Sequence, residues 1–354
     1  MSDVSVPVSP RDDIGPTALP ERLVARADWI ARLRAWFRDE GFVEVETPIL
    51  SWDTVVDRHL DPIPVPVAGI MPGHPPGATM FLQTSPEFAM KRLLSLELPA
   101  IFQIGRAFRA GERGDRHNVE FTMAEWYRVG DDYRAGIDRL SRLTEAMFPR
   151  VRSTESERKV RVVSYRDLFV EAAGVDPFEP RFYDDPAARR QLPDDSLCRL
   201  WDRGVLEGRT ANREPDRQFL LELLFEARVV PFLTSQGAAI VVDYPGDQSA
   251  LAIATERDYG TVAERFELFV DGIELANGYH ELRDAAELAR RNRRVNAERA
   301  ADGKPPLPET SRLLEALPRM PSCAGVALGV DRAVMVALGA QSIDQVWAFP
   351  WERA

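Results

Sequence analysis

The sequence predicts an α+β fold, a mainly antiparallel sheet flanked by helices. Three observations carry that expectation. Strand-like runs at 266–270 and 273–276 flank Asp271-Gly272, a pair that strongly favours a two-residue hairpin. Further short apolar or aromatic runs lie at 81–83, 101–109, 120–128 and 240–244. Long helical segments separate some of these runs and no internal repeat is visible, so the chain reads as strands joined by hairpins and helical excursions.

The elements follow in order. Residues 1 to about 20 hold Pro7, Pro10, Pro16 and Pro20 among small and charged residues, and are expected to form a poorly ordered tail. Beyond it, Trp29, Ile30, Leu33, Trp36 and Phe37 share one helical face, and Gly41 stands where such a helix ends. Residues 42–46 alternate like a strand and stop at Pro48, while 62–79, rich in Pro and Gly, predict a loop or a wide hairpin. Helices are expected over 88–96 and 131–148. Residues 181–217 are charged and weakly periodic, which predicts a surface insert. Leu220, Leu221, Leu223 and Leu224 belong to a helix expected to end near Pro231. A charged helix covers about 283–300, and residues 325–330 run as a strand into an apolar helix from Asp331. The expected organisation is a tail over 1–20 and one domain over 21–354.

Composition removes several function classes. The chain has 354 residues, 45% hydrophobic and 29% charged, an ordinary globular balance with enough length to bury a core without staples. Its net charge of −11 argues against a general nucleic-acid binder, without excluding a local basic patch. No run approaches the ~20 apolar residues that span a bilayer, and the N-terminus lacks the basic and apolar regions of a signal peptide. Cys198 and Cys323 cannot make a disulfide framework or a zinc knuckle, so a reducing cytoplasm is the expected location. Lys91, Lys159 and Lys304 are the three lysines among 45 basic residues, leaving 42 arginines, and none sits in a Gly-x-x-x-x-Gly-Lys-Ser/Thr loop. The histidines, His59, His74, His117 and His280, form no His-Glu-x-x-His pair, and there is no Gly-x-Ser-x-Gly elbow. Phosphate chemistry here must rest on arginine, backbone amides and a carboxylate-held metal.

Three segments supply those groups. Residues 108–118 form a loop dense in Arg and Gly between two strand-like runs, which suits a polyphosphate. Taken alone, a charged hairpin tip is more often simply solvated. Residues 272–281 place Glu274 and Glu281 seven apart around small residues, a pair suited to Mg²⁺ or to an ammonium group, or to a salt-bridged surface hairpin. Residues 325–332 read strand–turn–helix with Gly325, Gly329 and Arg332, where glycines let a flat ligand approach the backbone.

Together these segments resemble motifs 2 and 3 of the class II aminoacyl-tRNA synthetases, especially their lysyl branch. Thr47-Pro48 resembles motif 1, which builds the dimer interface in that superfamily. Thr84-Ser85-Pro86-Glu87 followed by Lys91-Arg92-Leu93-Leu94 resembles the lysyl-branch substrate segment. Phe108-Arg109 with His117-Asn118 and Glu120-Phe121-Thr122 resembles motif 2, and the 325–332 segment resembles motif 3. A lysyl-tRNA synthetase carries an N-terminal anticodon-binding OB-fold, for which no room precedes residue 21. Glu125-Trp126-Tyr127, the 273–278 segment and the ending at 348–354 are similar to the elongation factor P lysine lysyltransferase family, as is Ala327 where lysyl synthetases usually have Gly.

The resemblance implies a class II synthetase catalytic fold and an AMP-forming ligase. It would activate (R)-β-lysine, or lysine, with ATP and Mg²⁺ and transfer it to a lysine of elongation factor P. It also implies a homodimer, with no tRNA and no membrane as partner. Arg109 would fork onto the α-phosphate and the substrate carboxylate, while Arg332 and His117 take the outer phosphates. Phe121 would stack on adenine with Arg332 on the other face. Gly111, Asn118, Leu275 and Gly329 would complete the nucleotide site. Glu274 would bind Mg²⁺, with Glu281 sharing that role. Glu87 would hold the amino group near the carboxylate, and Tyr127 and Glu281 would receive the side-chain ammonium. Ser85 and Pro86 would shape the pocket and Ala327 its floor. The family usually reads Arg-Asn-Glu in motif 2, where this chain has Arg109-Ala110-Gly111. Glu112 is adjacent to the missing glutamate, and Val119 stands where the family usually has Pro. The alternatives are a truncated lysyl-tRNA synthetase, a non-catalytic synthetase-like binding protein, and a ligase that loads a carrier thiol.

Overall fold

The computed structural model describes residues 15–69, 73–75, 77–96, 98–148, 160–210 and 216–354. Helix α1 (Pro20–Asp39) starts at a proline, whose missing N–H is no loss in a first turn. It buries Trp29, Leu33 and Phe37, and Phe37 stacks on Phe102 with ring centroids 4.5 Å apart. The chain is packed before α1 as well. Thr17 and Ala18 donate backbone N–H bonds to the carbonyls of Ala348 and Trp347, and Ala18 is buried. The packed chain therefore begins ahead of the boundary expected near residue 20, and residues 1–14 of that expected tail lie outside the described residues.

Strands β1 (Val43–Glu44), β2 (Leu50–Ser51), β3 (Ile63–Pro66) and β4 (Thr79–Leu82) follow, then helix α2 (Glu87–Leu94). The Pro- and Gly-rich stretch is a wide hairpin: β3 pairs antiparallel with β4, which also pairs with β2 in a small separate sheet. Strands β5 (Ala100–Phe108) and β6 (Glu120–Val129) form the long central hairpin, followed by α3 (Tyr133–Met147). Strand β7 (Arg161–Ser164) and helix α4 (Tyr165–Ala173) carry no clear signal in the sequence, because a four-residue strand gives too few alternations to count.

Helices α5 (Pro186–Arg190), α6 (Asp195–Thr210), α7 (Arg217–Leu224) and α8 (Val230–Gln236) come next. The expected surface insert at 181–217 is better packed than its composition implied. Phe182, Tyr183 and Trp201 are buried in one cluster with Leu220, Leu221 and Leu224 of α7; its residues 211–215 lie outside the described residues. The apolar residues are sparse among charges, so no periodicity shows, yet they converge in space. The helix expected to stop near Pro231 continues through it instead. A π turn at Phe225–Val229 loosens the ladder just before the proline, which then sits in the first turn of α8, where no N–H is needed.

Strands β8 (Ala238–Pro245), β9 (Ala254–Arg257), β10 (Gly260–Val270) and β11 (Ile273–His280) complete one half of the main sheet. Asp271 and Gly272 both have positive φ, 51° and 74°, as their two-residue hairpin requires. Helices α9 (Ala285–Ala301) and α10 (Arg312–Ala316), strand β12 (Cys323–Gly329) and helix α11 (Val330–Ala337) finish the domain. The sheet order is β1-β5-β6-β12-β11-β10-β8-β7, with β9 on β10. Among the described residues, only the outer pairs β1/β5 and β7/β8 are parallel. The mainly antiparallel α+β expectation therefore holds.

Motif-like segments distant in sequence meet at Asp331. This buried residue pairs with Arg26 of α1 at 2.7 Å and accepts the backbone N–H of Thr122 on β6 at 2.7 Å. Asp331→Ala strands a largely buried guanidinium and an amide. It is expected to cost about 3–5 kcal/mol of stability, which urea denaturation measures; a loss under 1 kcal/mol would contradict this role.

Candidate active site

The central strands β6, β12, β11 and β10 carry the polar side chains, and their register sets who meets whom. On β12, Ala327 stands between Glu125 of β6 and Asn277 of β11, and Gly325 between Tyr127 and Tyr279. A cavity of about 680 Å³ opens over these strands. Of the residues expected at the site, Ser85, Glu87, Arg109, His117, Asn118 and Phe121 line it, as do Glu274, Leu275, Ala327, Gly329 and Arg332. Its far wall comes from α7 and the π turn, through Gln218, Glu222 and Phe225. The helix that follows the segment read as an insert therefore walls the site.

At the arginine-rich end, Arg109 lies over the Phe121 ring, its guanidinium carbon 5.0 Å from the centroid. Glu112 stands 3.7 Å from it, and its buried Nε has no partner. Such a donor is poised for an anion. Arg332 donates to the carbonyls of Arg116 and Glu274 and contacts His117 Nε2. Burial and then the positive charge of Arg332 lower the His117 pKa, so its imidazole is neutral and accepts from Arg332. Asn118 is a brace: its amide donates to Glu120 and its oxygen accepts from the Trp351 N–H. Gly111 has φ 77°, a conformation that disfavours glutamate, and Glu112 instead lines the cavity.

Two carboxylates, Glu267 of β10 and Glu274 of β11, line the cavity further along. Glu267 accepts from the Tyr244 hydroxyl at 2.5 Å and from Arg265. Burial and then the negative charge of Glu267 raise the Glu274 carboxyl above the usual range. Two hard oxygen donors on neighbouring strands of one cavity suit Mg²⁺, which takes one or two carboxylates and completes its shell with water and phosphate. Among the described residues no group of three potential metal ligands converges. Glu281, expected to share the metal, does not. Seven residues along a strand at ~3.3 Å each separate it from Glu274 by on the order of 20 Å, and its carboxylate is engaged elsewhere.

That engagement defines the other end of the site. Lys91, wholly buried, reaches Glu87 and Glu281 at 2.5 Å each, and its ammonium lies 6.0 Å over the Tyr127 ring. The Tyr127 hydroxyl donates to Glu125 at 2.5 Å. Tyr127 and Glu281 were expected to receive the substrate ammonium; here they lie beneath the cavity floor, 2% and 1% exposed. A Cβ on Gly325 would lie 2.3 Å from both Glu281 Oε1 and the Tyr127 ring, so only glycine lets them meet there. Pro86 is buried at the start of α2, its carbonyl accepting from Ala89 and Met90, and the Ser85 hydroxyl accepts the Glu87 N–H. Burial and then the negative Glu87 push the Glu125 carboxyl well above its ordinary range.

Sequence reasoning assigned no role to Glu125, Lys91 or Glu267. A signal for two of them existed. Glu125 and Glu267 each interrupt an apolar strand, Met123-Ala124-Glu125-Trp126 and Phe266-Glu267-Leu268-Phe269, and a carboxylate in such a run is costly to bury without a task.

The comparisons with known proteins agree with this geometry. The family profile described as tRNA synthetases class II (D, K and N) matches residues 13–353. Proteins named elongation factor P–(R)-β-lysine ligase from Vibrio parahaemolyticus and Yersinia enterocolitica are each 40% identical over 340 residues, covering 96% of this chain and 98% of theirs. The protein of that name from Vibrio cholerae is 40% identical over 342 residues, with the same coverage. The motif-like segments meeting around one cavity, the profile match and these relatives lead to one conclusion: the chain belongs to the class II tRNA synthetases (D, K and N) and, within them, to the elongation factor P–(R)-β-lysine ligase family.

Proposed function

We propose that the protein is an AMP-forming ligase that activates (R)-β-lysine with ATP and passes it to a lysine side chain of elongation factor P. The observation that carries this reading is the single cavity joining an arginine-rich nucleotide end to a carboxylate-rich end. A diamino acid has one carboxylate to activate and two ammonium groups to pair. In the first step an oxygen of the substrate carboxylate attacks the α-phosphorus and pyrophosphate leaves. Arg109 meets the charge that gathers there, and His117 and Arg332 hold the outer phosphates. Phe121 offers the face not covered by Arg109 to adenine. Glu267 and Glu274 would hold Mg²⁺, which neutralises charge on the phosphates. In the second step the acceptor amine attacks the mixed anhydride, releasing AMP and a proton. Glu87, which lines the cavity, meets the incoming ammonium groups, with Glu125, Tyr127 and Glu281 buried behind it.

Preference between the two lysines is assigned to Ala327. Its methyl lies between Glu125 and Asn277 at the cavity floor, where it displaces the substrate backbone and suits a shifted amino group. Discrimination by one methyl reaches ~1–3 kcal/mol. The parent is expected to favour (R)-β-lysine over α-lysine in ATP–pyrophosphate exchange, and Ala327→Gly to narrow or reverse the ratio. Equal specificity constants, unmoved by the substitution, would refute the assignment. Exchange that depends on neither lysine would sink the activation step itself, and efficient charging of tRNA with lysine would favour the synthetase alternative.

The protein is further proposed to be a cytoplasmic homodimer that does not depend on tRNA. Val43, Ile49 and Trp52 expose 49%, 42% and 37% of their surface beside Thr47-Pro48, an apolar face suited to a second copy. Sedimentation at micromolar concentration is expected to give a dimer. Among the described residues no helix is long and apolar enough to cross a membrane.

A further inference from the structure

Lys91 is the one lysine of the substrate end, and no step above uses it. Its side chain is 0% exposed. It sits on α2, one turn after Glu87, and its ammonium bridges Glu87 and Glu281 at 2.5 Å each. Glu125 completes the cluster. Its Oε1 accepts from Tyr127, and its buried Oε2 has no partner. Three carboxylates thus face one fixed ammonium, and the pocket carries two uncompensated negative charges when all three are ionised.

We propose that Lys91 is the resident counter-ion of this pocket: it stays between Glu87 and Glu281, cancels one of three carboxylate charges, and so sets the pocket to accept a substrate with two ammonium groups. The inference rests on the ligase reading above and adds the residue that fixes the charge of its substrate class. It makes Lys91 a positioning residue. An amino acid with one ammonium leaves a buried carboxylate unpaired, and a buried unpaired charge is costly. Without Lys91, a diamino acid would leave the same deficit.

The titration of the cluster fits this count. The groups facing Glu281 are Lys91 and Glu87 of α2, Tyr127 and Glu125 of β6, Tyr279 of β11 and Cys323 of β12. Burial pushes the Glu281 carboxyl up to about 8 even though Lys91 draws it down. Glu125 is raised too. In the empty pocket both acids hold a proton more readily than an ordinary carboxyl, and an arriving dication favours their ionised forms. Acids with raised pKa must lose those protons to bind a cation, so affinity for the diamino acid climbs as pH rises toward about 8. Removing Lys91 takes away the charge that holds Glu281 down, so this rise moves to still higher pH.

The test uses the full chain and ATP–pyrophosphate exchange across pH. The parent must first show exchange that depends on (R)-β-lysine; its absence sinks the ligase reading, a different failure from the ones below. Lys91→Met is expected to raise the KM for the diamino acid on the order of 10²-fold near neutral pH, with the KM for ATP little changed. The lower pH limb of kcat/KM is expected to move up by at least about one unit, and Lys91→Arg to restore part of the affinity. An unmoved limb with an unchanged KM overturns the proposal. Should the variants fail to fold, acetic anhydride labelling of the parent decides, read by mass spectrometry. Lys304, with a side chain 30% exposed, serves as the internal control. Lys91 unlabelled with and without saturating diamino acid supports a resident ion. Lys91 labelled once the substrate is added shows instead a plug that the substrate displaces, and overturns it.

Discussion

Arg109→Ala is expected to slow diamino-acid-dependent pyrophosphate exchange by ~10²–10³-fold, because a preorganised donor is lost where the transition state gathers negative charge. The structure narrows why. The buried Nε of Arg109 has no partner, its contact with Glu112 is a loose 3.7 Å, and its flat group rests on Phe121. Little of the fold depends on it, so the variant should retain its melting temperature within a few degrees while losing rate. Exchange as fast as the parent's would remove Arg109 from the reaction. A collapse in stability would recast it as a structural residue.

Glu274→Gln is the second large effect, and its two readouts are expected to part company. Burial and then the negative charge of Glu267 disfavour the ionised Glu274 carboxyl, outweighing its 3.7 Å pairing with Arg332. Neutralising it relieves both costs, so stability should hold or rise slightly. Activity should fall by ~10²-fold or more if this carboxylate is the one that would keep Mg²⁺ beside the phosphates. A variant that keeps the parent's rate and Mg²⁺ dependence would exclude Glu274 as a metal ligand. The same substitution at Glu281 should leave Mg²⁺ dependence alone and weaken the diamino acid instead, which separates the two glutamates that the sequence placed in one role.

Much of the molecule was readable because its signals are local. The aromatic face of α1, the Asp271-Gly272 hairpin and the strand–turn–helix at 325–332 each declare themselves within a dozen residues, and each stands as expected. The gathering of Arg109, His117, Phe121 and Arg332 around one cavity was readable for the same reason: these residues cluster in short segments. The errors have a different character. Glu274 and Glu281 look like a pair in one dimension, yet an extended strand carries them far apart. Phe182, Tyr183 and Trp201 look scattered, yet they meet Leu220 and Leu224 in one buried cluster. Lys91 looked like part of a helix, and its importance lies in charges brought to it from β11, 190 positions along the chain. Spacing reports chemistry only along one element, whereas burial and pairing across elements need the fold.

The central claim is the transfer itself. Purified elongation factor P incubated with this protein, ATP, Mg²⁺ and (R)-β-lysine should gain the mass of one β-lysyl group. Peptide mass spectrometry should place that group on a single lysine side chain, with no addition when ATP is omitted. Elongation factor P left unmodified, under conditions where the same preparation forms the adenylate and charges tRNA, would contradict the account.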